Sequence, residues 1–109
     1  MKILVIGASG LVGSHCLHYF KEKKVSVIGT HLNYETNETQ YFNPLEDNEF
    51  DFLNQLSFIP DVIIHCAALT HVDYCEENAE ESYEKTVLST QKVVSYCLEK
   101  NIKMVYNVL

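Results

Sequence analysis

Apolar positions along this chain follow two rhythms. Short, nearly unbroken apolar runs occur at residues 3–6 (ILVI), 25–30 (VSVIGT), around Tyr41 and Phe42, at 61–68 (DVIIHCAA) and at 102–109 (IKMVYNVL). Runs of this length read as strands, and those with consecutive apolar residues as strands buried on both faces, the habit of a parallel sheet. Between them apolar residues recur at helical spacing. Val12, Cys16 and Phe20, with Tyr19 beside them, mark a helix ending near Lys24. Phe50, Leu53 and Leu56 mark a short helix within 46–57, and Tyr83, Val87, Val94 and Leu98 mark the apolar face of a long helix over 78–100. Asn43-Pro44 and Pro60 punctuate the segments.

Strands alternating with helices in the order βαβ-β-α-βαβ predict an α/β domain on a parallel sheet. Right-handed crossovers place helices on both faces and set the strand order 3-2-1-4-5, a doubly wound sheet truncated after its fifth strand. The 109 residues are 47% hydrophobic and show no internal boundary, so residues 1–109 are expected to form one domain. A chain of this size buries roughly 60–70% of its unfolded surface, enough for a core.

Charge and cysteine usage narrow the setting. Eight Lys+Arg against fifteen Asp+Glu give a formal net charge of −7, which repels a phosphate backbone, and no basic cluster offsets it; nucleic acid is not an expected partner. The apolar runs fall short of the ~20 residues a membrane span needs. Cys16, Cys66, Cys75 and Cys97 form no C-x-x-C pair, and the amino terminus lacks the zones of a signal peptide. A reducing cytoplasm is the expected compartment.

The chemistry concentrates where the first strand meets the first helix. Gly7, Gly10 and Gly13 stand three apart there. A turn leaving a strand, a backbone free of side chains and a helix N-terminus with unpaired N–H groups together suit a pyrophosphate, so the triplet predicts a dinucleotide site. Gly7 would serve the turn, Gly10 the phosphate approach and Gly13 the packing of helix on strand. At the end of the second strand the acid that holds the ribose of NAD is absent, and Thr30, His31 and Asn33 stand in its place. Their hydrogen-bonding groups lean the expectation towards a 2′-phosphate and NADP, with NAD and a plain polar loop left open.

With those glycines and the run DVIIHCAALTHVDYCEENAEESYEKTVLST in view, the sequence resembles the N-terminal part of an extended short-chain dehydrogenase/reductase. Within that family it is most similar to the dTDP-4-dehydrorhamnose reductase group of nucleotide-sugar enzymes, and also to the regulatory β subunit of methionine adenosyltransferase. The resemblance spans essentially the whole chain and rests on G-x-x-G-x-x-G, on H-C-A-A at 65–68 and on T-x-V-D-x-C-E from Thr70 to Glu76. It implies a Rossmann-like fold, an NADP or NAD cofactor and a nucleotide-sugar substrate. It implies that Gly7, Ser9, Gly10, Leu11, Val12 and Gly13 wrap the pyrophosphate, and that Cys66, Ala67 and Ala68 line the path past the adenine ribose to the nicotinamide. Thr30 and His31 complete the expected cofactor set.

Departures from the family pattern matter for activity. Asn43 stands near an Asp that often faces the adenine ring, Thr86 takes the place of an Asn that braces the catalytic lysine, and Ser89 replaces a common Gly. Val108 and Leu109 fall where the family's catalytic Ser or Thr is expected. In the family a Tyr-x-x-x-Lys pair then follows, in which the tyrosine moves the proton that accompanies hydride transfer. Tyr-x-x-x-Lys does occur at Tyr19/Lys23 and Tyr96/Lys100. Both pairs fall at helix C-termini, the opposite edge from a cofactor bound beyond the strands' carboxyl ends, so no catalytic residue is assigned.

His15 and His18 lack a third ligand, and no metal is expected. His65, Cys66 and His71 read as packed, hydrogen-bonded groups, and Glu76, Glu77, Glu80 and Glu81 as helix N-terminal acids. Three readings stand. The first is the NAD(P)-binding portion of a nucleotide-sugar reductase, or of an NAD-dependent epimerase or dehydratase, inactive alone. The second is a non-catalytic dinucleotide-binding or regulatory module, whose exposed last strand takes a covering partner or a second copy. The third is a partial gene product.

Overall fold

The structure is a computed structural model that describes residues 1–32, 34–47, 50–66 and 79–106, the side chains of 79–86 excepted. Its strands are β1 (Lys2–Ile6), β2 (Ser26–His31), β3 (Thr39–Tyr41), β4 (Val62–His65) and β5 (Lys103–Tyr106). All four pairings are parallel and the order is β3-β2-β1-β4-β5, the order the alternation predicts. The described helices are α1 (Leu11–Glu22), α2 (Asp51–Asn54) and α3 (Ala79–Lys100). This is a Rossmann-like doubly wound sheet.

β1 is central because it is apolar on both faces. Leu4 and Ile6 point to one side, where Ile63, Phe42 and Leu53 join Val93, Tyr96 and Cys97 of α3. Ile3 and Val5 point to the other, against Ala8 and Leu17 of the α1 layer. Residues 3 to 6 are each no more than 2% exposed, and burying an aliphatic side chain this fully stabilises by roughly 1.5–3 kcal/mol.

Several element boundaries differ from the sequence reading. The helix expected within 46–57 is the single turn α2. Phe50, before it, adopts a left-handed conformation (φ 61°), and the Asp47 carboxylate accepts the Phe52 N–H at 2.9 Å. Together they start the helix late. Phe42 lies just past β3, yet its N–H still donates to the His31 carbonyl at 3.0 Å.

The apolar faces of both long helices are also rotated. Among the described side chains of α3 the buried ones are Val93, Tyr96 and Cys97, while Val94 and Leu98 are exposed and the Tyr83 side chain lies outside the described residues. The segment VVSYCL is apolar over an arc wider than one buried face, so periodicity alone does not choose the face; contact with the sheet does. In α1 the buried residues are Gly13 and Leu17, flanked by Cys16 and Phe20, and Tyr19 is exposed.

Candidate functional site

β1 ends at Ile6 and the chain turns at Gly7 with φ 82°, a left-handed conformation that glycine adopts freely. The turn is tied to the end of β2. Gly7 N–H donates to Thr30 Oγ1 at 3.4 Å, and Ala8 N–H donates to the Thr30 carbonyl at 2.7 Å. Gly13, one turn into α1, packs directly on this corner: a Cβ there would lie 2.0 Å from the Gly7 carbonyl oxygen. Helix and turn approach as closely as two backbones can.

Gly10 is different in kind. Its φ is −77°, it is exposed, and the nearest atom a Cβ would meet is the Gly7 carbonyl oxygen at an ordinary 3.6 Å. Neither backbone conformation nor packing requires glycine at this position. Gly10 is the N-cap of α1, no side chain caps the helix, and its first turn holds no acid. Helix geometry leaves the N–H groups of Leu11, Val12 and Gly13 without intrahelical acceptors, at the positive end of the macrodipole. Such a terminus accepts an anion, and a Cβ on Gly10 would stand at its entrance. The residues present therefore fit a dinucleotide pyrophosphate. Ser9 and Val12 sit half-buried beside this opening, and Leu11 is exposed at its rim.

Thr30 and His31 are buried at the end of β2. Thr30 is fully buried, and its hydroxyl oxygen accepts the Gly7 N–H. His31 is 7% exposed, its Nδ1 lies 2.8 Å from Thr39 Oγ1, and its ring meets that of Tyr41 edge-on at 6.1 Å. Consecutive strand residues point to opposite faces of the sheet, so the two are buried on opposite faces at the end of β2. Asn33 lies outside the described residues.

At the end of β4, Cys66 is half-buried and its N–H donates to the Ile6 carbonyl at 2.8 Å, extending the ladder by one residue. Ala67 and Ala68 lie outside the described residues, as do Thr70, His71, Cys75 and Glu76 and the side chain of Thr86. His65 is 1% exposed, its Nε2 lies 3.3 Å from Thr90 Oγ1, and its ring faces Tyr106 at 5.4 Å. Burial pulls its pKa down to about 4, so the imidazole is neutral at physiological pH. Its Nδ1 has no partner among the described residues. It is a packed histidine of β4 that touches α3 through Thr90, as the strand pattern suggests.

A polar network after β3 went unrecognised in the sequence. Tyr41 Oη donates to Glu46 Oε2 at 2.9 Å, a bond that raises the phenol pKa. Asn43 Oδ1 accepts the Leu45 N–H at 3.0 Å, closing its own turn. The usable signal was the turn sequence NPLE, which brings Glu46 back over the strand it leaves.

The two Tyr-x-x-x-Lys spacings are structural. Tyr96 is 1% exposed, edge-on to Phe50, and Tyr19 carries Lys23 Nζ 5.6 Å from its ring centroid at the end of α1. His18 Nε2 pairs with Glu38 Oε2 at 3.2 Å, and His15 is exposed. Among the described residues no cluster of three His, Cys, Asp or Glu could hold a metal, and no helix is long and apolar enough to cross a membrane.

The model of the NAD dependent epimerase/dehydratase family matches residues 3–108. The chain belongs to that family. A family member with this corner takes NAD or NADP as its dinucleotide. One relative is a probable low-salt glycan biosynthesis reductase of Haloferax volcanii, 26% identical over 97% of this chain and 36% of its own length. Another is the methionine adenosyltransferase 2 subunit beta of Xenopus tropicalis, 32% identical over 84% of this chain and 27% of its own. Among solved structures, a hypothetical dTDP-4-dehydrorhamnose reductase from Sulfolobus tokodaii superposes with a TM-score of 0.80 at 28% identity, over 97% of this chain and 38% of that one. The chain thus spans about a third of the length of the proteins it matches.

Proposed function

We propose that this chain is the cofactor-holding portion of a nucleotide-sugar oxidoreductase, which in the whole protein moves hydride between NAD(P)H and a dTDP-linked 4-keto sugar. The observation that carries the reading is Gly10: the fold does not need glycine there, and an anion at the uncapped start of α1 does. Gly7, Ser9 and Gly10, with the N–H groups of Leu11, Val12 and Gly13, would hold the pyrophosphate. Thr30 and His31 would form the floor beneath the adenosine, and Cys66, Ala67 and Ala68 the wall that leads to the nicotinamide. The bound nicotinamide supplies the hydride donor or acceptor; these residues bind it, orient it and exclude water.

Because both Tyr-x-x-x-Lys pairs lie at helix C-termini, the chain alone is expected to bind without turnover. Calorimetric titration with NADH should show binding, and Gly10→Val should weaken it at least ten-fold without loss of helical signal. Absence of binding by the unaltered chain, or full affinity in Gly10→Val, would overturn the reading. NADPH oxidation with a dTDP-4-keto sugar should stay at the blank, and clear turnover would refute the inactive-alone part. The likeness to the methionine adenosyltransferase subunit favours a second reading, a regulatory module that binds the dinucleotide without reducing a sugar. It is distinguished by assaying the whole protein, which would then bind NADH and leave every 4-keto sugar unreduced.

A further inference from the structure

We infer that Glu46, steered by Tyr41, makes this site selective for NAD(H) over NADP(H); the inference rests on the dinucleotide reading above. In a doubly wound fold the adenosine ribose lies against the end of the second strand, where an acid accepts the 2′-hydroxyl or a cation receives the 2′-phosphate. Here β2 ends in Thr30 and His31; neither is a carboxylate or a permanent cation, and both are buried.

Among the described residues no cation stands at the end of β2 either. The sequence contains no arginine. Lys2 and Lys103 begin strands, and Lys21, Lys23, Lys24 and Lys100 close helices, so all six line the amino edge of the sheet, away from the site. Lys92 donates to the Asp47 carbonyl, and the Lys85 side chain lies outside the described residues.

A carboxylate is present, brought in from the neighbouring strand. The register pairs His31 with Tyr41, their rings meet at 6.1 Å, and Tyr41 Oη holds Glu46 Oε2 at 2.9 Å. Glu46 is exposed, with one carboxylate oxygen fixed by the phenol. The acid absent from the end of β2 is thus supplied by the turn after β3, two contacts away. It can accept a ribose hydroxyl, and it repels a 2′-phosphate carrying roughly −2 charge. Tyr41 is the positioning residue. Glu46 is exposed and so is its bond to Tyr41, so its replacement leaves the fold in place.

The test is titration of the chain with NADH and with NADPH at low ionic strength, followed by heat or by nicotinamide fluorescence. NADH should bind at least ten-fold tighter than NADPH. Glu46→Lys should shrink that ratio at least ten-fold by improving NADPH, Glu46→Gln should shrink it by less, and Tyr41→Phe should shrink it about three-fold with an unchanged melting temperature. Equal affinities, a preference for NADPH, or an unmoved ratio in Glu46→Lys overturns the inference while leaving the dinucleotide reading intact. If neither nucleotide binds, the dinucleotide reading itself fails and this one falls with it.

Discussion

Gly13→Ala tests the corner at its tightest point. The added Cβ would start 2.0 Å from the Gly7 carbonyl oxygen, 2.8 Å from its carbon and 2.9 Å from Ala8 Cα, all backbone atoms. To restore a 3.0 Å contact, α1 must recede by about 1 Å, the difference between the two distances. Leu17 is 2% exposed on Ile3, Val5 and Ala8, and it sits so close over Gly29 that a Cβ there would lie 3.0 Å from its Cδ2. A radial gap of ~1 Å forfeits up to about half of each dispersion contact. Overpacking against backbone therefore costs about 3 kcal/mol, and the better helix propensity of alanine returns about 1, leaving a net loss of about 2 kcal/mol. For a chain of this size that lowers the Tm by roughly 8–15 °C. Thermal melts followed by far-ultraviolet circular dichroism measure it directly. Gly10→Ala is the internal control: its Cβ meets nothing closer than 3.6 Å, and alanine at an N-cap costs less than about 1 kcal/mol relative to glycine. A Gly13→Ala protein that melts with the unaltered chain would falsify the close-packing account of the corner.

Three further outcomes follow from particular contacts. His65 keeps its neutral form to about pH 4 when folded, against 6.5 when unfolded; below pH 6.5 the unfolded chain takes up the proton first, so stability falls as pH drops towards 4, by on the order of 3 kcal/mol in all. Urea midpoints at pH 7 and 4.5 should differ more in the unaltered chain than in His65→Leu, and equal differences would remove His65 as the cause. Thr30→Val deletes the acceptor of the Gly7 N–H at nearly constant volume, and should cost about 1–2 kcal/mol in urea denaturation, since a buried donor is left unpaired; no change would mean that the 3.4 Å bond contributes nothing. Leu53→Ala, in the core under α2, should cost about 2–5 kcal/mol by calorimetry, and a smaller loss would mean that α2 collapses onto the space.

The sequence made the sheet legible because a parallel strand buried on both faces leaves an unbroken apolar run, and β1 and β4 have no other reading once glycine and proline bound them. Helix faces were harder to read. α3 carries Val93, Val94, Tyr96, Cys97 and Leu98 over an arc of about 200°, wider than one buried face, so the buried face depends on where the sheet lies and not on spacing. The glycine corner was legible as a motif, but the separate reasons for its three glycines were not: φ 82° at Gly7, a 2.0 Å approach at Gly13 and neither at Gly10 are facts of three-dimensional geometry. The burial of Thr30 and His31 was hidden for a related reason. A polar residue at a strand end reads as exposed in one dimension, while in three Thr30 is fully buried beside Gly7 and His31 is 7% exposed beside Thr39.

The distribution of charge ties these points together. Lys21 and Lys100 stand in the last turns of α1 and α3, where cations complement the negative ends of the helix dipoles. At the other end of α1 the first turn has neither an acid nor a capping side chain, so the positive end of that dipole is left without a counter-charge from the chain. A helix selected for stability alone would carry Ser, Asp or Asn at its N-cap, worth about 0.5–2 kcal/mol over alanine and a few tenths over glycine. Gly10 forgoes that stabilisation at a terminus that faces the carboxyl ends of the strands, while the last turns of α1 and α3 keep their complementary charges. At α1 stability is thus conceded where an external anion can restore it. Binding of a dinucleotide should therefore raise the Tm of the unaltered chain, and should raise it much less in Gly10→Val.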